Sequence, residues 1–261
     1  MDLSIFLSYN LLPWQWVVWI ALGLAIGLTK AGFAGFAGVI IPVIALIFGA
    51  RESTGLVLPL LLFADILAVI YYHSHAEWRY IIRLVPWSFL GFGVAIVIDH
   101  LIPVQAFRLV MGGTIMAGLL VMIWSDFLGK EKAPPTAWWF SALFGIAGGF
   151  ATTFGNVAGP ILAVYLLSMR LPKNSFVGTT AWFLLIINLS KLPIQGFLWH
   201  NISVQSLLFN LTLVPVIILG VLMGIVLIKK IPEGAYRKVI MALTLVSTIL
   251  LFVDFSRFIP A

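Results

Sequence analysis

The chain is dominated by apolar stretches of the length that crosses a lipid bilayer, separated by short polar connections. Five of them occupy roughly residues 14–29, 35–49, 55–72, 82–98 and 106–124, and five more occupy roughly residues 137–151, 157–169, 177–197, 204–228 and 236–253. Hydrophobic residues make up 62% of the chain and charged residues only 9%, whereas a soluble domain carries about 25% charged residues. Too few charges remain to cover a water-facing surface, so the sequence predicts an all-α integral membrane protein.

The two halves of the chain carry the same residues in the same order. Residues 84–86 and Gly91 match residues 213–215 and Gly220, each at a displacement of 129 positions. Asp65 matches Asn188 at a displacement of 123 positions. Chance would rarely supply such an ordered set between two apolar sequences. The pattern predicts an internal repeat, with a first membrane unit at residues 1–124 and a second at residues 137–261.

An odd number of segments in each half means that the second unit enters the membrane upside down. Residues 125–136 then form a cytoplasmic linker, and both termini lie on the non-cytoplasmic side of the cell (inner) membrane. With this orientation ten Lys and Arg residues lie on the cytoplasmic side and three lie outside, which is the usual positive-inside bias. Inverted repeats are typical of secondary transporters, whose substrate site lies at the repeat interface near the middle of the membrane.

Each half opens with a short glycine-rich stretch that ends in proline. These stretches read TKAGFAGFAGVIIP at residues 29–42 and TTFGNVAGP at residues 152–160. Their glycines favour breaks in the helix, so the first pair of segments in each repeat is predicted to be short, broken or re-entrant. A helix amino terminus at such a break can bind an anion. Close packing of two helices through small residues remains the alternative.

Three charged residues, Lys30, Asp65 and Lys191, fall within or beside apolar runs, where an ionisable group is a functional candidate. Asp65 lies near the middle of its segment and its repeat mate Asn188 is also polar, so Asp65 is expected to handle a proton. The alternative is a structural ion pair with Lys30 or Lys191. Lys191 lies near the outer end of its helix, so its ammonium could instead reach the membrane interface.

Hydroxyls, amides and aromatic rings complete the predicted substrate site. The residues expected to line it are Lys30, Phe33, Gly35, Phe36, Gly38, Thr152, Thr153, Phe154, Gly155, Asn156, Gly159, Thr179, Trp182, Asn188 and Lys191, with Asp65 in the proton-coupling role. Taken singly, Thr and Asn in membrane helices more often bond to backbone or to neighbouring helices. The sequence holds no recognisable catalytic set, metal-ligand spacing or nucleotide loop, so no cofactor is expected.

Three stretches of this sequence resemble the sulfite exporter family TauE/SafE, a family of membrane permeases. They are TKAGFAGFAGVIIPVIAL in the first half, and GGFATTFGNVAGPILAVYLL and VGTTAWFLLIINLSKLP in the second. The resemblance covers essentially the whole chain and includes an asparagine–lysine–proline signature at Asn188, Lys191 and Pro193. It implies a carrier for a small anion, above all a sulfur oxyanion or an organosulfonate of the sulfite or sulfoacetate type, that works by alternating access.

The expected partners are the small anionic substrate and the lipid bilayer, with no nucleic acid; a homodimer is one assembly that the sequence leaves open. A channel or a carrier for another small solute is the first alternative. A membrane-embedded enzyme that modifies lipids is the second, but it would need a cluster of catalytic carboxylates. Asp99 and Glu77 are too few and too scattered for that, so the chain is predicted not to be an enzyme.

Overall fold

A computed structural model of the chain describes residues 11–34, 47–48, 52–98, 116, 137–156 and 158–252, without the side chains of residues 154, 155 and 250–252. The helices in these ranges are α1 (Pro13–Lys30), α2 (Glu52–Tyr72), α3 (Trp78–Ile98), α4 (Trp138–Gly155), α5 (Ala158–Ser168), α6 (Lys173–Pro193), α7 (Val204–Asn210), α8 (Val214–Lys230) and α9 (Glu233–Phe252). No strand occurs in this described part, so the prediction of an all-helical protein is confirmed. Most of the predicted segments 35–49 and 106–124, and the whole linker 125–136, lie outside it.

Four helical runs are long and apolar enough to cross a membrane, among the residues described. They are Glu52–His75, Trp78–Ile98, Lys173–Leu198 and Val204–Lys230. Each contains or overlaps one of the stretches predicted from hydropathy at residues 55–72, 82–98, 177–197 and 204–228. The chain is therefore a multi-pass membrane protein.

Proline and serine set several of the helix boundaries. Pro13 and Pro215 lie in the first turns of α1 and α8, where a missing N–H costs no intrahelical bond. Ser203 caps α7 by accepting a hydrogen bond from the backbone of Ser206. The carboxyl end of α6 passes through Pro193 into a π-helical turn, Ile194–Leu198. Such a local widening of a helix often accompanies functional sites.

Three helix pairs make the most extensive contacts in the described part: α3 with α4, α1 with α8, and α2 with α6. Glycine allows the first two pairs to approach closely. A Cβ on Gly27 of α1 would meet the backbone of Ile217 in α8, and a Cβ on Gly149 of α4 would meet the backbone of Ser88 in α3. Such contacts are the usual means by which membrane helices pack, because lipid supplies little hydrophobic drive for their association.

Candidate functional site

The candidate site is organised around a break between α4 and α5. Helix α4 ends at Gly155, and Asn156 follows in the left-handed conformation with φ of 54°. Asparagine tolerates this conformation better than most residues. Helix α5 then begins at Ala158. The chain thus breaks inside residues 152–160, where the glycine pattern predicts it.

On the first half, α1 ends at Lys30 and the chain turns immediately afterwards. Gly32 has φ of 128°, a conformation that favours glycine. The hydroxyl of Tyr236 in α9 donates a hydrogen bond of 2.8 Å to the carbonyl of Gly32 and holds the turn in place. The rest of the predicted break at residues 29–42 lies outside the described residues from Gly35 onward.

Lys191 of α6 lies at the carboxyl end of α4. Its side chain is 1% exposed, and its ammonium donates to the carbonyl of Thr152 at 3.1 Å, to the Thr152 hydroxyl at 2.9 Å and to Oδ1 of Asn156. A positive charge is stabilised at the end of a helix, where backbone carbonyls lack intrahelical partners. The alternative that Lys191 reaches the membrane interface is therefore wrong, because these three acceptors hold it inside the protein.

The amide of Asn156 joins this group to α2. Its Nδ2 donates to the carbonyl of Thr54 at 3.3 Å, which leaves Oδ1 facing Lys191. Thr54 also accepts, through its hydroxyl, a bond of 3.1 Å from Gln195 in the π-helical turn, and Gln195 accepts one of 3.0 Å from Asn201. A continuous chain of amides and hydroxyls therefore runs from Lys191 to the loop that follows α6.

Asp65 of α2 binds a cation and an amide from two other helices. Its Oδ1 lies 2.8 Å from Nζ of Lys30 in α1, and its Oδ2 accepts a hydrogen bond of 2.7 Å from Nδ2 of Asn188 in α6. Asp65 is fully buried and Lys30 is 5% exposed. The ion pair with Lys30 that the sequence leaves open is thus formed. The two residues predicted as repeat mates, Asp65 and Asn188, are in direct contact.

A small pocket lies between these two groups of polar side chains. Helices α1, α2, α4, α5 and α6 all contribute to its lining, which consists of Ile26, Thr29, Lys30, Val57, Leu61, Thr152, Asn156, Gly159, Leu184 and Asn188. Five of these ten residues are polar, and the four aliphatic residues form an apolar wall. Such a combination of an apolar surface with a few convergent polar groups is typical of small-molecule sites.

Five of the residues predicted from the sequence line this pocket: Lys30, Thr152, Asn156, Gly159 and Asn188. Sequence reasoning missed Thr29 and the four aliphatic residues of the apolar wall. The hydroxyl of Thr29 donates a hydrogen bond of 2.8 Å to the carbonyl of Ala25, one turn earlier in α1. The aliphatic residues gave no signal because, in a membrane helix, a pocket-lining leucine looks the same as a lipid-facing one.

Thr179 and Trp182 of α6 lie away from the pocket, toward the start of the helix. The Thr179 hydroxyl accepts a hydrogen bond of 2.9 Å from the backbone N–H of Glu77, in the connection between α2 and α3. The ring of Trp182 packs against Trp78 with centroids 5.2 Å apart. Nine residues separate Thr179 from Asn188, about 13 Å along a helix.

The remaining predicted residues divide into two groups. Thr153 is buried and donates to the carbonyl of Gly149 within α4, and Phe33 packs against the core beside the turn that follows α1. Gly35, Phe36 and Gly38 lie outside the described residues, as does the side chain of Phe154, and Gly155 is the last residue of α4.

The buried charges in the described part of the chain do not balance. They are the ammonium groups of Lys30 and Lys191 and the carboxylate of Asp65, so one positive charge is in excess. Buried charges are normally paired, and this excess lies beside the pocket. Among the described residues, no group of three or more His, Cys, Asp or Glu side chains could hold a metal ion.

Comparison with known proteins identifies the family. A family model described as "Sulfite exporter TauE/SafE" matches residues 19–251, nearly the whole chain. No curated protein and no solved structure matches the chain. The match extends over both glycine-rich stretches and over all the described helices apart from the first turns of α1 and the last residue of α9. The chain therefore belongs to the sulfite exporter family TauE/SafE, a family of membrane transporters.

Proposed function

We propose that the protein is a secondary transporter that carries a small anion, a sulfur oxyanion or a short organosulfonate, across the cell membrane by alternating access. The observation that carries the proposal is the excess of one buried positive charge around the pocket among the described residues, from Lys30, Lys191 and Asp65. A bound monovalent anion would balance it. A cation would add to the imbalance, and a neutral solute would leave it as it is.

The polar wall of the pocket suits an oxyanion. Lys30 and Asn156 line it, and Gly159 brings the first turn of α5, an 11-residue helix, to its edge. The amino end of a helix carries a partial positive charge and N–H groups that favour anions. The ammonium of Lys191, held through Thr152 and Asn156, adds to the positive potential at this end.

The apolar wall is the reason to include organosulfonates in the substrate class. Ile26, Val57, Leu61 and Leu184 offer no hydrogen bond to an oxyanion, but they can contact a short carbon chain. An organosulfonate places a charged head and an apolar tail on one molecule, so it can use both walls. A fully inorganic oxyanion would use the polar wall alone.

The proposal includes two inverted repeats, at residues 1–124 and 137–261, and close helix contacts support it. A Cβ on Gly27 would meet Ile217, and one on Gly149 would meet Ser88. Gly27 and Gly149 are 122 positions apart, and Ser88 and Ile217 are 129 apart.

A second set of glycine contacts has the same displacements. A Cβ on Gly91 would meet the backbone of Ile146, and one on Gly220 would meet that of Leu24. Leu24 and Ile146 are again 122 positions apart, and Gly91 and Gly220 are 129 apart. The contacts of α1 with α8 therefore recur between α4 and α3, as two related units packed symmetrically would produce.

The orientation that goes with these repeats has both termini outside the inner membrane and the linker at residues 125–136 in the cytoplasm. Asp65, bound to Lys30 and Asn188, is the residue that we propose to exchange a proton during transport. The groups that face it are the ammonium of Lys30 from α1 and the amide of Asn188 from α6; the ammonium of Lys191 lies further along α6.

Flux measurements in proteoliposomes test the proposed function. Purified protein is reconstituted, and uptake is measured for sulfite, thiosulfate, sulfoacetate, acetate and taurine, the last of which is a zwitterion with no net charge. The proposal predicts saturable uptake of at least one sulfur anion and little uptake of taurine. Uptake that does not saturate would indicate a channel, and uptake of taurine alone would contradict anion selectivity.

A further inference from the structure

We propose that this protein is an anion exchanger. Its pocket switches readily between opening to one side of the membrane and opening to the other when an anion occupies it, and slowly when none does. The inference rests on the proposed function, because it assumes that the pocket around Lys30, Lys191 and Asp65 is the transport site. It goes beyond that function by naming the mode of transport.

The geometry at Lys191 assigns it as an ammonium. An ammonium has three N–H donors and no acceptor, and Nζ of Lys191 faces three oxygens: the carbonyl and hydroxyl of Thr152 and Oδ1 of Asn156. The bond from Asn156 Nδ2 to the carbonyl of Thr54 fixes which end of the amide faces the lysine. A neutral amine would leave its lone pair directed at one of these oxygens.

The geometry at Asp65 assigns it as a carboxylate paired with one cation. Both of its oxygens face donors, the ammonium of Lys30 at 2.8 Å and the amide of Asn188 at 2.7 Å. Oδ2 accepts the hydrogen bond from Asn188 and Oδ1 forms the ion pair with Lys30, an arrangement that suits an ionised carboxyl group, whereas a protonated one must donate from one of its oxygens. Lys30 and Asp65 therefore neutralise each other, and the charge of Lys191 is the one in excess.

Among the described residues, no other buried acidic side chain balances Lys191. The other acidic residues in the described part of the chain are Glu52, Glu77 and Glu233, and none of the three is buried. Outside the described residues, the sequence places the acidic residues at the termini, in the linker or at the end of an apolar stretch: Asp2, Asp99, Asp126, Glu131 and Asp254. While Asp65 is ionised, the described side chains around the pocket thus have a charge of +1 without an anion and of zero with a monovalent anion.

This difference in charge affects the rate at which the pocket switches its opening from one side of the membrane to the other. Alternating access passes through a state in which the site is closed to water on both sides. An unbalanced charge in such a state carries a desolvation penalty, because no water or counter-ion compensates it. Lys191 and Asp65 are almost completely buried in this structure, so water offers them little relief. A bound monovalent anion removes the excess charge and lowers this barrier, which makes one-for-one exchange faster than net transport.

The test compares exchange with net uptake in proteoliposomes that contain the full chain. The probe is 35S-labelled sulfite, kept anaerobic and mildly acidic so that it is mainly the monovalent hydrogen sulfite. Valinomycin with equal potassium on both sides holds the membrane potential at zero. Uptake is measured into liposomes loaded with unlabelled sulfite and into liposomes without it, with 14C-labelled methanesulfonate as a second monovalent probe in the same two conditions.

The expected result is uptake about tenfold or more faster into the loaded liposomes, since a difference of about 1.4 kcal/mol in the barrier already gives that ratio. Equal rates in the two conditions would overturn the exchange inference while leaving the transporter proposal intact. Absence of uptake of both probes in both conditions would contradict the proposed function itself, and the exchange inference would fall with it.

Two variants test whether the excess charge is the cause. Asn156→Asp introduces a carboxylate of the same shape beside Lys191, in a backbone conformation that Asp also tolerates, and it should bring the ratio of exchange to net uptake close to one. Lys191→Arg keeps the charge and should keep the ratio high. Lys230→Gln removes an equal charge from an exposed position and should not change the ratio. A high ratio in Asn156→Asp would contradict the electrostatic cause.

Discussion

Asp65 and Asn188 are 123 positions apart in the chain and are joined by a hydrogen bond of 2.7 Å between α2 and α6. They are equivalent positions in the two repeats that the sequence predicts, and in the fold they contact each other. Such a contact arises when equivalent helices of two related units pack together at the boundary between the units. The carboxylate of one half and the amide of the other thus build one site with Lys30.

Asp65→Asn tests the proton-coupling role. The substitution preserves the shape of the side chain and removes its charge, so Lys30 loses its ion-pair partner and the pocket becomes more positive. Flux driven by a pH gradient should be abolished, while binding of a sulfur anion to the purified protein remains measurable. If the variant transports as fast as the wild type under the same pH gradient, Asp65 has no part in coupling.

Lys191→Ala tests the contribution of the lysine to anion binding. The variant removes the excess charge and leaves the acceptors at Thr152 and Asn156 without their donor. We expect binding of sulfite to weaken by roughly 30-fold or more, since truncating a buried charged group costs about 2 kcal/mol or more. Isothermal titration in detergent measures the change.

The matched control for this experiment is Lys230→Gln, which removes an exposed charge at the end of α8 and should leave the affinity unchanged. Lys191→Arg should recover part of the affinity. Equal affinities in the wild type and in a folded Lys191→Ala variant would remove Lys191 from the site.

Gly91→Ala and Gly93→Ala test the packing of α3 against α4. A Cβ on Gly91 would meet the backbone of Ile146, whereas a Cβ on Gly93, two residues along the same helix, would meet nothing within 4 Å. Overpacking against a backbone costs about 1–3 kcal/mol. Thermal unfolding in detergent should show a lower melting temperature for Gly91→Ala and little change for Gly93→Ala; similar shifts in both would contradict the close contact.

Single cysteines test the proposed orientation, and the absence of native cysteine makes them easy to interpret. Val204, 75% exposed at the start of α7, should face outward, and Ser74, in the turn after α2, should face the cytoplasm. A membrane-impermeant maleimide added to intact cells should label Val204→Cys but should label Ser74→Cys only after permeabilisation. The reverse pattern would place both termini in the cytoplasm.

Several parts of the fold follow from the sequence because the physical constraint is simple. A bilayer requires long apolar helices, and the four spanning runs occur where hydropathy predicts them. The break at Asn156 follows from its glycine neighbours and from the ability of Asn to adopt a positive φ. The ion pair of Asp65 with Lys30 follows from the rule that buried charges are normally paired.

Other parts could not be predicted because they depend on the rotation of each helix about its axis. Helix α6 carries Thr179, Trp182, Asn188 and Lys191, but only its later part faces the site, and Thr179 instead binds the backbone of Glu77. In a lipid environment all sides of a helix are apolar, so periodicity does not reveal which side faces the protein. The capping of α4 by Lys191 likewise requires a contact between two residues, Thr152 and Lys191, that are 39 positions apart in the chain.

The most direct measurement is an anomalous-scattering structure of the protein with selenite, the selenium analogue of sulfite. We predict a selenium peak in the pocket, within hydrogen-bond distance of Lys30 or Asn156 and beside the first turn of α5, and its loss in Lys191→Ala crystals. Saturable transport of selenite together with a peak at another site, and none in this pocket, would contradict the assignment of the anion site.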